Sequence, residues 1–219
     1  MTFGPLPQAN QTPRHSGGPG RRRAAGTSAR GDSVAGRSDI LALASLVLGY
    51  PDDDLSDALP DIAKAVAALP RGAATADLQE FLTWFSGAEP AARRVEYVRT
   101  FDHKRRSALY VTFAPYGDSR QRGTALASLR QRYHDAGFAE SGDELPDYLP
   151  TVLQFAALAG GKDADEVLGQ SQAGIASIKA ALEAQRSPYA AVLRAVTRCL
   201  PRRQAPIDVA APELEGALA

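Results

Sequence analysis

The residues of this 219-residue chain best suited to catalysis are three histidines and one cysteine, and their spacing builds no reaction centre. His15, His103 and His134 stand far apart, and none forms a metal-ligand pattern with Cys199 or with a carboxylate. The chain has no phosphate-cradling glycine loop, no dinucleotide fingerprint and no nucleophile elbow. Cys199 has no second cysteine to pair with, so nothing points to an oxidising compartment. Its expected role is that of a small apolar residue near a helix end. The expectation is a protein that is not an enzyme, holds neither metal nor cofactor, and works by binding.

Three stretches carry unusual local chemistry. In GDELPDYLP, residues 142–150, three acids, two prolines and a tyrosine precede the apolar run TVLQFAALAG. Pro146 at the first helical position would fix the backbone without wasting a donor. Glu144 and Asp147 would set negative charge against free N–H groups of the helix start. Capping explains one acid and one proline; a binding site explains the rest, and both readings stand at this point. In YGDSRQRG, 116–123, Asp118 and Ser119 suit an N-cap, but Arg120 and Arg122 fall in the first turn, where the helix dipole disfavours cations. Gly123 costs about 1 kcal/mol relative to Ala within a helix, which suggests a closely packed neighbour. In EYVRTFDHKRRSALY, 96–110, Tyr97 and Phe101 lie four apart on one helical face, as a core stripe would.

The elements that must position these stretches read as helices almost throughout. Ser38 is a plausible N-cap for Ile40, Leu43 and Val47, and GYPDDD ends that helix. Leu55, Leu59, Ile62, Val66 and Leu69 line a second helical segment, with Pro60 marking a break or kink. Thr75 and Asp77 open a third, with Leu78, Phe81, Leu82 and Phe85 on one stripe, and Glu89 and Pro90 start a fourth. ALYVTF is β-like in composition but has no partner strand in view, so a helical turn or extended loop is expected there. Further helices follow from Asp118 or Ser119 to Gly137, from the 142–150 motif onward, over about 163–185, and from Pro188 with Val192, Val196 and Leu200 inward. No strand pair or βαβ alternation emerges. The expected fold is all-α, a single-domain bundle of about eight helices over 38–200.

Charge divides the chain unevenly. Of 25 basic and 25 acidic residues, six arginines but only Asp32 fall in residues 1–37. That basic segment is rich in Gly, Pro, Ser and Arg and poor in large apolar residues, so it is expected to be disordered, as is a flexible segment 201–219. GRRRAAG lacks the apolar stretch an export signal needs, and ILALASLVLGY falls short of the ~20 apolar residues that span a bilayer. A cytoplasmic protein without a membrane-inserted segment is expected.

Taken in order, YVRTFD, SALY, YGDSRQRG and ELPDYLP resemble the assembly chaperones of respiratory nitrate reductase, the NarJ branch of the TorD-like molybdoenzyme chaperones. The resemblance covers roughly residues 38–200. The wider family's Tyr-x-x-Leu-Phe element is similar to Tyr97, Thr100 and Phe101, with Thr in place of Leu. Its Glu-Pro-x-Asp-His element is similar to Glu144, Pro146, Asp147 and Tyr148, with Leu145 inserted and Tyr in place of His. These departures remove a titrating imidazole and keep the acids and the rigid turn.

The resemblance implies a cytoplasmic chaperone, monomeric or weakly dimeric, that binds the N-terminal peptide of the apo catalytic, molybdenum-carrying subunit. It would keep that subunit open for insertion of the molybdenum cofactor and delay its docking to the membrane. It implies a peptide groove lined by Tyr97, Phe101, Glu144, Pro146, Asp147 and Tyr148. Asp118, Ser119, Arg120, Arg122 and Gly123 would serve a second partner surface or a structural role. A chaperone of another molybdoenzyme is the nearest alternative. A helical nucleic-acid binder using the arginine-rich segment is the alternative of another class, against which the acidic body argues.

Overall fold

The computed structural model describes residues 2–5, 28–102, 107–141 and 144–201, and the side chains of all of these but 2–5, 28–35, 140 and 141. Nine helices run through the described residues: α1 Ser28–Val47, α2 Asp53–Ala68, α3 Ala73–Gly87, α4 Pro90–Phe101, α5 Phe113–Tyr116, α6 Arg120–Asp135, α7 Leu149–Ala159, α8 Gly161–Ala184 and α9 Tyr189–Arg198. The fold is all-α, as the helical periodicity implies. Residues 6–27 and 202–219, on which most of the two expected flexible segments fall, lie outside the described residues.

Local chemistry explains the starts of α2 and α4. Asp52 caps α2 by accepting from Leu55 N at 2.9 Å, and Asp53 and Asp54 add negative charge to its first turn. Pro90 occupies the first turn of α4, where its missing N–H costs nothing. Pro60 does not break α2. The proline sits on the exposed side, and Ile62 and Val66 keep the inward face buried beyond it.

The packing places α9 at the centre. It contacts α1, α3 and α8, while α1 also lies along α7. Tyr189, Ala190, Ala191, Val192, Leu193, Ala195 and Val196 are all buried, the pattern of a helix enclosed on most sides. Leu200, expected inward, is only half-buried, because α9 has already ended at Arg198. Asp77, buried on α3, accepts from Arg194 Nε at 2.9 Å and Arg198 Nε at 2.7 Å, so a charged clamp joins α3 to the polar side of α9.

Four local expectations need correction. Helix α1 begins at Ser28, well ahead of the Ser38 cap, because the intervening residues include no proline to stop it. A short antiparallel ladder, which the sequence patterning did not reveal, pairs β1 Thr2–Pro5 with β2 Phe138–Ser141, with Thr2 opposite Ser141. Four-residue strands are too short to show a period. The third helix opens at Ala73, and Thr75 lies inside it, donating to Pro70 O at 2.7 Å. Gly123 has no neighbour within 4 Å of where a Cβ would sit, so close packing does not account for it.

The close approach falls instead at Gly174, in the middle of α8. A Cβ there would stand 1.9 Å from the carbonyl oxygen of Val111, whose segment crosses α8 at that point. Helix propensity alone favours Ala over Gly by about 1 kcal/mol. We expect the opposite at this position: Gly174→Ala destabilises by about 1–3 kcal/mol through overpacking, measured by chemical denaturation. A stabilised variant would show that the crossing is looser than described.

Candidate functional site

Residues 107–112 lie between α4 and α5, and the 144–148 turn leads into α7. The two segments meet in a single antiparallel bridge of Tyr110 and Tyr148. Val111 N donates to Asp147 O at 3.0 Å, and Leu149 N donates to Leu109 O at 2.6 Å. This bridge gives ALYVTF its pairing and explains why a β-like composition appears in a helical protein.

Asp147 holds the bridge from within. Expected at the edge of a groove, its side chain is instead fully buried. Its Oδ2 accepts from the Thr112 hydroxyl and, at 3.3 Å, from Thr112 N, and it faces Arg122 Nη2 at 3.5 Å. Arg122 also donates from Nε to Thr112 Oγ1 at 3.1 Å and lies over the Tyr110 and Phe113 rings at 6.0 and 5.8 Å. The cation that the helix dipole disfavours at the start of α6 therefore has a buried acid for a partner. Pro146 is buried too, and its carbonyl accepts from Tyr133 Oη of α6 at 2.8 Å. Pro146 precedes α7 rather than opening it. Tyr148 is the N-cap, without a side-chain capping bond, and Pro150 occupies the first turn.

The bridge brings the aromatic residues together. Tyr97 Oη lies 3.3 Å from Tyr148 Oη and donates to Leu48 O of α1's end at 3.2 Å. Tyr110 packs on Tyr148 at 5.7 Å between ring centroids and donates to Glu144 Oε1 at 2.7 Å. Tyr97 stacks edge-on to Tyr50 at 5.4 Å and packs on Phe101 at 4.8 Å, which continues inward to Tyr189 at 4.9 Å.

Tyr97 and Phe101 are thus core residues whose upper edge meets the site, while Glu144 and Tyr148 are half-buried at it. Burial, first of all, pushes the phenols of Tyr97, Tyr110 and Tyr148 upward, and nearby Glu144 or Asp102 adds to this. They remain neutral hydroxyls at physiological pH.

Sequence reasoning did not single out Tyr50, Leu145, Tyr110 and Asp102 as site residues. Tyr50 is 48% exposed and Leu145 38% exposed, beside the half-buried tyrosines. Asp102 is exposed and close enough to act electrostatically on both Tyr97 and Tyr148. Tyr50 lies between the glycine and the proline of the GYPDDD helix stop, and Asp102 just past a helix end, where no periodicity marks either. Of the other expected residues, Asp118, Ser119, Arg120 and Gly123 are exposed around the start of α6. Ser119 is the N-cap there, without a side-chain bond.

The surface that results is an aromatic floor with an acidic edge of Glu144 and Asp102. A cleft of about 560 Å³ continues from Tyr110 and Phe113 toward small residues of α8, among them Ser177, Ala180 and Ala184. Such a surface suits an extended or helical segment carrying cations and apolar side chains. Among the described residues no cluster of three or more potential ligands could hold a metal, and no helix is long and apolar enough to cross a membrane. His134 is exposed on α6, while His15 and His103 lie outside the described residues.

Comparison with known proteins gives a consistent answer. Residues 66–195 match the family model described as nitrate reductase delta subunit. The probable nitrate reductase molybdenum cofactor assembly chaperone NarJ of Bacillus subtilis is 32% identical over 156 residues, spanning 71% of this chain and 85% of that protein. The nitrate reductase molybdenum cofactor assembly chaperone NarJ of Escherichia coli K12 is also 32% identical, over 68% of this chain and 64% of the relative. A solved structure described as a putative redox enzyme maturation protein from Archaeoglobus fulgidus shares the fold, with a TM-score of 0.54 at 23% identity. That likeness covers 74% of this chain and 91% of the other.

Two outcomes follow from the geometry. Asp147→Ala leaves Thr112 and Arg122 facing an empty buried site, and we expect a loss of about 3–5 kcal/mol in denaturation; Asp147→Asn, which keeps an acceptor, should lose less. Glu96 on α4 accepts from Arg99, Thr100 and Ser187. Burial alone would raise its pKa, but the hydrogen bonds from Arg99, Ser187 and Thr100 outweigh it and hold the carboxyl below the usual range. Its folded pKa being depressed, its contribution is complete above the unfolded value and is lost as pH falls through the folded one. Glu96→Gln should therefore lose less stability than the parent on acidification below about pH 5, read as a flatter acid limb of the stability curve.

Proposed function

The chain belongs to the nitrate reductase delta subunit family, and from that premise we propose that it is a molybdenum cofactor assembly chaperone for nitrate reductase. In this reading it binds the N-terminal segment of the apo catalytic subunit in the cytoplasm, keeps that subunit competent for cofactor insertion, and delays its docking to the membrane anchor. It takes no part in chemistry itself; it acts by occupancy.

The observation that carries the peptide-binding part is the meeting of Tyr97, Tyr110 and Tyr148 beside Glu144. Neutral phenols with apolar faces accept both aliphatic side chains and cationic heads. Glu144 and exposed Asp102 supply the charge. Each large apolar side chain buried contributes about 1.5–3 kcal/mol gross, from which ordering the peptide subtracts. A micromolar complex, about −8 kcal/mol, is the expected result. Competition from the folded holo-subunit for its own segment then suffices for release.

Asp147 enters this function as a positioning residue. It is too deeply buried to meet a peptide and instead sets where Tyr110 and Tyr148 stand. Arg122 shares that task, and exposed Arg120 is left for a second contact with the client.

Calorimetric titration with a peptide from the N-terminus of the host's nitrate reductase large subunit, against a scrambled peptide of equal charge, tests the proposal. The true peptide alone should bind at micromolar concentration. Glu144→Gln and Tyr148→Ala should each weaken it about tenfold or more, and Glu144→Gln should do so while leaving the unfolding midpoint within a few degrees. Equal binding of both peptides would reduce the surface to unspecific charge attraction, and unchanged affinity in both variants would move the groove elsewhere.

A further inference from the structure

Tyr97 meets α1 near its end at Leu48, whereas a second and larger concavity, about 940 Å³, meets α1 at Gly36, Arg37 and Ile40. The turn from Pro70 into α3, Asp165 of α8, and residues 198–201, where the described chain leaves α9, form its other walls. Three arginines reach these walls against one aspartate. Arg37 is committed to Asp165 at 2.6 Å and to Cys199 O at 2.8 Å, and Arg198 to Asp77. Arg71 is exposed and makes no ion pair among the described residues. Ile40, Ala74 and Leu200 supply apolar surface.

A cationic, partly apolar cleft calls for an acidic, partly apolar ligand, and two segments of the chain outside the described residues adjoin it in sequence. Residues 6–27 carry four arginines and no acid. Residues 202–219 open with Arg202 and Arg203, and beyond these two residues 204–219 carry Asp208, Glu213 and Glu215 with no base, interleaved with Ile207, Val209, Leu214 and Leu218. Charge selects the second. Its attachment point selects it too, because Pro201 is itself part of the cleft wall. Tethering through so few residues holds it at an effective concentration on the order of millimolar, so weak intrinsic affinity is enough for occupancy.

We propose that residues 204–219 dock back into this cleft as an intramolecular ligand, with their acids toward Arg71 and their apolar residues against Ile40 and Leu200. The docked segment would cover a surface distinct from the tyrosine site, and any partner with an acidic, apolar segment would have to displace it. This inference does not depend on the client proposed above.

The test uses the full chain and a fluorescent synthetic peptide of residues 204–219. In the parent protein the cleft is already filled, so the peptide should bind poorly. With Asp208→Asn, Glu213→Gln and Glu215→Gln together, its own segment is weakened, and the peptide should bind at least tenfold more tightly. Adding Arg71→Glu to that variant should remove the gain.

Cys199 gives a second readout. It lines the cleft, and burial pushes its thiol up to about 11. The neutralised variant should be alkylated severalfold faster than the parent, and added peptide should slow it again. Peptide affinity and alkylation rate alike in parent and variant would overturn the proposal. Preferential binding of a peptide of residues 6–27 would overturn it in favour of the basic segment. Concentration-dependent self-association of the neutralised variant by light scattering would assign the cleft to a second copy.

Discussion

One buried carboxylate organises the side of the molecule that matters most. Asp147 is removed from water on a turn that precedes a helix, and it is satisfied on one oxygen by Thr112 and Arg122. An ionised group so placed costs several kcal/mol in desolvation unless its partners hold still. That requirement fixes three things together: the segment that carries Tyr110, the start of α6 that carries Arg122, and the turn that carries Glu144 and Tyr148. Gly174 makes the arrangement possible from the other side, since only a residue without a Cβ lets the Val111 carbonyl lie against α8. The second oxygen, Oδ1, is buried with no hydrogen-bond partner among the described residues, so those residues hold the clasp by fewer bonds than its carboxylate can make.

The site is an outcrop of the core rather than an addition to it. A chain of rings runs from Phe85 through Phe81 and Tyr189 to Phe101 and Tyr97, with successive centroids 4.8–5.4 Å apart. Tyr189 belongs to the enclosed helix α9, so the most buried element and the surface aromatics are mechanically continuous. Tyr97 serves both. The residue is 6% exposed, while its hydroxyl reaches Leu48 O and Tyr148. A surface built on such a floor is largely preformed, so the ordering cost of binding there would fall on the ligand.

Charge is used in two different ways. Within the body, acids are satisfied by arginines that join elements: Asp77 with Arg194 and Arg198, Glu166 with Arg132, Asp147 with Arg122. At the surface, Glu144 is half-buried and Asp102 exposed near the tyrosines, whereas Arg71 and Arg37 line the larger cleft. The two surfaces therefore differ in the sign of their edge charges, and charge of opposite sign is what each would favour in a ligand.

The sequence by itself determined the all-helical class, most helix spans and the absence of recognisable catalytic motifs, because helical period, caps and breakers are local signals. It also determined the family, because YVRTFD, SALY, YGDSRQRG and ELPDYLP keep residue types in order that local structure does not demand. It left capping and binding unresolved for GDELPDYLP. Only the tertiary structure divided that motif, sending Pro146 and Asp147 inward and leaving Glu144, Leu145 and Tyr148 at the surface. The same holds for Arg122, whose local cost is offset by an acid 25 residues away, and for the glycine that mattered, Gly174 rather than Gly123. Burial and close approach are properties of pairs of segments distant in the chain, and no periodicity along one segment encodes which partner it will meet.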